Sequence, residues 1–280
     1  MLRIIDARTG EPADAVPARR ALTRVVVHAP GSDLTSLRVL LVADVLVRTL
    51  ELGGTPVWAL LSGGRRQAEL RASATVLGIR PFEDGSDAGA GLVEAQVIHV
   101  VPEGEPTAGG VRITVAPVGP AEPAAPADGP GHADGLLARS AEPGAADVRP
   151  DARSRAADAL PPEVPAGTGP AVLRLALLAR HHSAPAELEA ALLDDARATL
   201  ARWRAAVARW ARSPSRPVPD EVRVRLRDAW EDDLDVPRVL DVLHHVENEP
   251  ALPDGARFET FAYADRLLGL DLAADLGSPP

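Results

Sequence analysis

The chain has 280 residues, 46% of them hydrophobic and 25% charged, with a formal net charge of −10 and only 3% aromatic residues. All 30 basic side chains are arginine and there is no cysteine. This excludes a Schiff-base nucleophile, a phosphate-gripping lysine, a thiolate nucleophile, a disulfide and any thiolate-bound metal. A pI near 5.2 argues against bulk nucleic-acid binding, and no DNA partner is expected. The start MLRIIDARTGEP has no basic region leading into an apolar core, and no apolar run approaches the ~18 residues of a membrane span. The expectation is a cytoplasmic chain without membrane contact.

The first zone alternates two hydrophobic periods. Arg24–His28 (RVVVH) is a β-branched run suited to a buried strand. Pro30, Gly31, Ser32 and Asp33 form a turn in which Ser32 or Asp33 can cap a helix. That helix runs over Leu34–Leu52, with Leu37, Leu40, Leu41, Val45, Arg48 and Leu52 at helical spacing and Gly53-Gly54 stopping it. Pro56–Leu61 reads as a second strand and Gln67–Leu77 as a second helix, ended by Gly78. Glu94–Val101 and Val111–Val115 are two further strands. Strands alternating with helices predict a parallel sheet. Gly53-Gly54 and Gly63-Gly64 lack the spacing of a phosphate loop and read as element terminators.

Residues 118–169 are dominated by Pro, Ala, Gly, Asp and Arg and lack the apolar content needed to order themselves. The last zone is helical. Ala171–Arg180 begins it, and Pro185 stands in the first turn of a long helix through Arg212 that carries Leu188, Leu192, Ala196, Leu200, Trp203, Val207 and Trp210 on one stripe. Asp220 caps a helix to Trp230, Pro237 opens another to about Glu247, and Arg257–Leu268 is the last, closed by Gly269.

The order of these segments resembles the cysteinyl-tRNA synthetase family. LRIIDARTGEP is similar to its opening strand and Thr-Gly turn, and VVVHAP to its strand ending in Val-Cys-Gly-Pro. ADVLVRTLELGGTPVWAL is similar to its first helix and second strand through Asp44, Val45, Leu46, Arg48, Leu50, Gly53 and Val57. AVLRLALLARHHSAPAELEAALLDDARATLARW, RDAWEDDLDVPRVLDVLHHV and LLGLDL resemble, in order, segments of its helical domain. The implied fold class is α/β: a partial Rossmann-like nucleotide-binding-type domain over 1–117, a Pro/Ala-rich disordered linker over 118–169, and an all-α helical bundle over 170–280 resembling the synthetase stem-contact domain.

The resemblance implies three site losses. The family's HIGH motif, whose histidines contact ATP phosphates, falls at Asp33, Leu34, Thr35 and Ser36, so Asp33, Thr35 and Ser36 are a degenerate ATP-motif position and Asp33 brings a repelling charge. The family's lysine loop has no lysine here. Its zinc uses two cysteines, and the first of those positions is His28, a metal-ligand candidate whose other reading is a half-buried turn histidine. Zinc is therefore not expected, ATP is the candidate nucleotide, and the family's anticodon-binding module is expected to be absent after LGLDL.

Other histidines have plainer readings. His244-His245-Val246-Glu247-Asn248-Glu249 is similar to the family's zinc-site string but stands late in the helices, where helical spacing brings His244 near Glu247 and His245 near Glu249; a solvated helix end is the alternative. His181-His182 read as a helix C-terminal pair at a junction. Arg197, Arg204, Arg209 and Arg212 belong to the most basic stretch and are the candidate RNA contacts, against the reading of an amphipathic helix's polar face. The expected function is a catalytically degenerate synthetase-like protein that binds a nucleotide, an RNA or a protein. The alternatives are an ATP-dependent ligase activating cysteine or another amino acid, as in the synthetase or its relative that ligates cysteine to an aminosugar-inositol, with Arg65, Arg66, Arg153 or Arg155 replacing lysine, and a structural partner of a full-length synthetase. A tRNA or a synthetase is the expected partner.

Overall fold

The computed structural model describes residues 1–15, 22–64, 66–85, 96–107, 109–119 and 159–277. An N-terminal hairpin pairs β1 (Arg3–Asp6) antiparallel with β2 (Glu11–Asp14). The central sheet then builds in chain order from β3 (Thr23–Ala29), β4 (Val57–Gly63), β5 (Glu83–Asp84), β6 (Gln96–Pro102) and β7 (Val111–Val115). All its pairings are parallel, in the spatial order β5-β4-β3-β6-β7. The chain thus starts in the middle, winds out one way and returns to wind out the other, which is the doubly wound α/β pattern.

Alternation along β3 buries Thr23, Val25, Val27 and Ala29 on the face that receives α1 (Leu34–Leu52), while Arg24, Val26 and His28 are half-buried on the other. Helix α1 packs on the sheet and also against α2 (Gln67–Val76) and the helix over Asp254–Leu268, so it is apolar nearly all round rather than on one stripe. Its C-terminus stops at Gly53, and Gly54 takes a left-handed φ of +77° that side chains resist. Strand and helix bounds shift from the sequence expectation by one to three residues: β4 starts at Val57 and runs on to Gly63, and residues 94 and 95 of the third expected strand lie outside the described ones.

Of the stretch 118–169, residues 120–158 lie outside the described ones. Its two ends are built into the fold. β8 (Val118–Gly119) pairs parallel with β9 (Ala186–Glu187), and Leu160 and Val164 pack against the core.

Five helices follow: α3 (Pro170–Leu178), α4 (Ala190–Trp210), α5 (Asp220–Trp230), α6 (Val236–Asn248) and α7 (Asp254–Leu268). Trp203 and Trp210, seven residues apart, both meet Phe261 edge-on at 5.5 and 5.1 Å, which locks α4 to α7. The long helix does not begin at Pro185 as its stripe suggested. The guanidinium of Arg38, on α1, takes hydrogen bonds to the carbonyls of Arg180, His181, Ala184 and Ala116, and β9 pairs with β8; these distant partners hold residues 180–187 out of the helix. The helix therefore starts at Ala190, after Glu189. No helix of the described residues is long and apolar enough to cross a membrane.

Candidate functional site

A doubly wound sheet offers a crevice where its winding reverses, at the carboxyl ends of the strands. Here that point is the end of β3. A cleft of about 1000 Å³ opens there, lined by the loop Pro30–Asp33, by Arg66, Glu69, Ala72 and Ser73 of the α2 end, and by residues 159–168 across from them. The loop is drawn tight against the end of β4: a Cβ on Gly64 would lie 2.5 Å from the Pro30 carbonyl oxygen, so only glycine permits that approach.

The head of α1 faces this cleft. Its N-cap is Asp33, whose Oδ1 accepts a hydrogen bond from the Ser36 backbone N–H at 2.7 Å. The Ser36 hydroxyl, buried, accepts in turn from the Gly31 N–H at 3.3 Å. Helix N-termini attract anions through unpaired N–H groups and the helix dipole. In this chain the anion already present is the Asp33 carboxylate. The Thr35 hydroxyl accepts from the Val118 N–H at 3.1 Å and so anchors β8 rather than facing a ligand. Three acids, Asp33, Glu69 and Glu163, stand among the described lining residues against one arginine, Arg66, which pairs with Glu69 at 2.7 Å. Arg66 also holds a left-handed φ of +69°, an unfavourable conformation for arginine, at the cleft edge. Arg65, Arg153 and Arg155 lie outside the described residues.

His28 is at the end of β3 on the sheet's other face. Its Nε2 meets Nδ1 of His99, on β6, at 2.9 Å, so one ring donates and the other accepts. Burial lowers the affinity of both rings for protons; the neighbouring His28, Arg24 and Arg8 add to the effect on His99, which is pushed down to about 4. With no cysteine in the chain and no third donor near this pair among the described residues, the side chains present do not fit the zinc that the resemblance implies for this position.

The other expected site residues separate. His244 gives its Nδ1 hydrogen bond to the Leu240 carbonyl at 2.9 Å and lies against Trp203; Glu247 instead accepts from Trp203 Nε1 and Arg202. His245 and Glu249 approach only to 3.8 Å. Arg204 holds the carbonyls of Leu270 and Asp271, Arg209 lies over the Trp210 ring, Arg197 pairs with Asp194, and Arg212 is exposed. His181 and His182 follow the end of α3 and both turn toward Asp233.

Two polar devices escaped the sequence reading. Arg38 is 1% exposed with four carbonyl partners, and burial lowers its guanidinium to about 10. Asp44 is fully buried and accepts from Arg174 at 2.8 Å, Arg48 at 2.9 Å and Arg80 at 3.2 Å. Burial works to raise the Asp44 carboxyl, but the Arg174 and Arg48 charges win and hold it below the ordinary carboxylate value. The signal for both was on the page: a charged residue inside an otherwise apolar helix has to be buried with partners.

These features define a Rossmann-like α/β protein with a cleft at the usual nucleotide position and an acidic, self-capped helix head. Among known proteins, the chain is similar over part of its length to cysteine ligases. It is 48% identical over 75 residues to the L-cysteine:1D-myo-inositol 2-amino-2-deoxy-alpha-D-glucopyranoside ligase of Frankia alni, covering 27% of this chain and 17% of that protein. It is 37% identical over 110 residues to the ligase of that name from Segniliparus rotundus (38% and 25%), and 38% identical over 115 residues to that of Mycobacterium leprae (38% and 28%). The matched stretches thus span between a sixth and about three tenths of these relatives' own length. No protein-family model matches the chain.

Proposed function

We propose that this chain is a cysteinyl-tRNA synthetase-like protein that has lost amino-acid activation and acts by binding. The observation that carries the reading is the head of α1, where the Asp33 carboxylate takes the Ser36 N–H that an anionic ligand would need. The acidic majority among the described lining residues supports it, because a triphosphate entering that cleft meets like charge. In this reading the chain binds a neutral or cationic small molecule in the cleft, or an RNA or protein such as a full-length synthetase on its surface. ATP–pyrophosphate exchange over the amino acids tests it. The expected outcome is no exchange above a protein-free blank; exchange with any amino acid overturns the loss of activation.

A second reading is supported by the names of the relatives, which are ligases acting on L-cysteine. In it the chain is an ATP-dependent ligase activating cysteine with a non-standard site in which arginine replaces lysine. The same assay decides, because this reading requires exchange that is specific to cysteine.

A further inference from the structure

The pair His181-His182 meets Asp233 in a way that the hydrogen bonds of a neutral His182 ring leave unexplained. Nδ1 of His182 lies 3.1 Å from the Thr114 carbonyl oxygen, and its Nε2 lies 3.0 Å from the Asp233 carbonyl oxygen. Both partners only accept, and a neutral imidazole has one N–H to give. With Nδ1–H donated to Thr114, the Nε2 lone pair is aimed at another lone pair. His181 meets the same Asp233 oxygen from the other side: its Nε2 lies 3.1 Å away, and its Nδ1 lies 2.8 Å from the Ser183 hydroxyl, which can donate or accept. The carboxylate of Asp233 closes the group, with Oδ2 at 3.4 Å from His182 Nε2 and 3.8 Å from His181 Nε2.

Two imidazole nitrogens, a carboxylate oxygen and a carbonyl oxygen thus cluster. Four of their six separations, 3.0, 3.1, 3.4 and 3.8 Å, bracket the edge of a tetrahedron around an ion bound at ~2.0–2.1 Å, which is about 3.3 Å. His181, His182 and Asp233 are the one such group of three among the described residues. The surroundings have the form of a ligand support. The Thr114 carbonyl can accept the Nδ1–H of His182, the tautomer that leaves Nε2 free to coordinate. The other Asp233 oxygen, Oδ1, accepts from the Ile5 N–H at 2.8 Å, and the Asp233 N–H donates to the Arg3 carbonyl. Asp233 and Leu234 both hold left-handed φ values, +52° and +56°, a costly pair for residues with side chains, and this bend turns the Asp233 carbonyl and carboxylate to the same side. His182 is buried, while the His181 side chain is 27% exposed and leaves a way in from solvent. His181 also accepts a long 3.4 Å hydrogen bond from the Ser183 N–H, which a coordinated ring would exchange for the shorter one to the hydroxyl.

We infer that His181, His182 and Asp233 form a site for one borderline divalent ion of the Zn²⁺, Co²⁺ or Ni²⁺ type. Imidazole and carboxylate donors select that class over hard cations such as Mg²⁺. The ion would tie the exit of α3 and the end of β7 to the turn before α6. This is a separate site from the position of His28 and independent of the activity proposed above.

The test uses the tag-free full chain stripped with chelator, then given Zn²⁺ alone in equilibrium dialysis and Co²⁺ alone in absorption spectroscopy. The expected result is one Zn²⁺ per chain and a visible Co²⁺ band of tetrahedral intensity. His181→Gln and His182→Gln should each weaken Zn²⁺ binding by at least about tenfold, whereas His28→Gln and His245→Gln should leave it unchanged. Zn²⁺ retained at the parent affinity by folded His181→Gln, or lost with His28→Gln or His245→Gln, overturns the assignment. His182→Gln removes a buried side chain and is checked by circular dichroism; should both histidine variants unfold, the parent's Co²⁺ spectrum decides, and absence of the band overturns the site.

Discussion

Helix α1 carries acids in opposite circumstances at its middle and at its head. Asp44, halfway along the helix, is fully buried and gathers arginines from its own helix, from α3 and from the loop after α2. Around it Arg174 also holds the Leu77 and Leu268 carbonyls, and Arg48 those of Gly78 and Arg266. One carboxylate thus fastens the sheet domain to the C-terminal helices. Asp33, at the helix head, is exposed, contacts its own turn and faces the cleft. In the proposed reading, the stretch around Asp44 keeps residues of the synthetase-like pattern and the head around Asp33 departs from it. Residues that hold a scaffold are fixed by many partners at once, whereas residues at a cleft answer only to the ligand. On that reading the folding function of this helix has been kept apart from its chemical one.

The strongest way to break this contrast is at the buried acid. Arg174→Met leaves Asp44 without its closest partner at 0% exposure and should cost about 3–5 kcal/mol in denaturant unfolding. A loss below about 1 kcal/mol would show that Arg48 and Arg80 suffice and that α3 is not fastened through this charge. Next is Arg38→Met, which takes a donor from four carbonyls and should cost about 2–3 kcal/mol. Its distinctive readout is local: the Ala116 and Ala186 amides, which donate to the His182 and Pro117 carbonyls, should lose hydrogen-exchange protection before the core of α1 does.

Those two arginines also mark what was legible beforehand. The helix Leu34–Leu52, the strand Val111–Val115 and the helix Asp220–Trp230 were readable from their hydrophobic period, with a cap and a glycine stop agreeing for the first; Asp220, expected as a cap, is instead the first helical residue after Pro219. The cleft position was readable from the strand–helix order, and the Asp33 cap from its place before an apolar run. A break between Arg180 and Pro185 was readable, but its reach to Glu189 was not, because residues 180–187 are held by Arg38 from 142 residues away in the chain. Likewise His181-His182 looked like an ordinary helix end, since Asp233, which gives the pair its meaning, lies some fifty residues on and turns toward it only through two left-handed residues. Sequence patterns report neighbours within a few turns, and sites assembled across the fold lie beyond that reach.

A smaller effect separates the two faces of the sheet. His28 and His99 are both held below the ordinary histidine value of 6.5, so the folded chain keeps them neutral while the unfolded chain takes up protons near 6.5. The sign follows: their contribution is complete above pH 6.5 and is lost as pH falls from 6.5 toward 4. Both rings are half-buried, so solvent screening reduces the size of the loss. His99→Gln should flatten this slope in thermal melts between pH 7 and 4. An unchanged slope would mean that other groups carry the acid sensitivity.

The least costly change to stability is the most informative about the cleft. Asp33→Ala removes the cap on Ser36 and should cost about 1 kcal/mol, whereas Asp33→Asn keeps an equally good cap and costs little. Only the charge distinguishes asparagine from aspartate there. If the Asp33 carboxylate is what excludes anions from the head of α1, Asp33→Asn should bind inorganic pyrophosphate or ATP about 2- to 5-fold more tightly than the parent, in line with the ~0.3–1 kcal/mol that a charge at an exposed helix end carries, and the gain should shrink as salt is raised. Equal binding by parent and variant would move the cause of the departure from this one carboxylate to the shape of the cleft. The two variants therefore separate what Asp33 does for the helix from what it does to a ligand, a separation that Asp44, bound on all sides by arginines, does not permit.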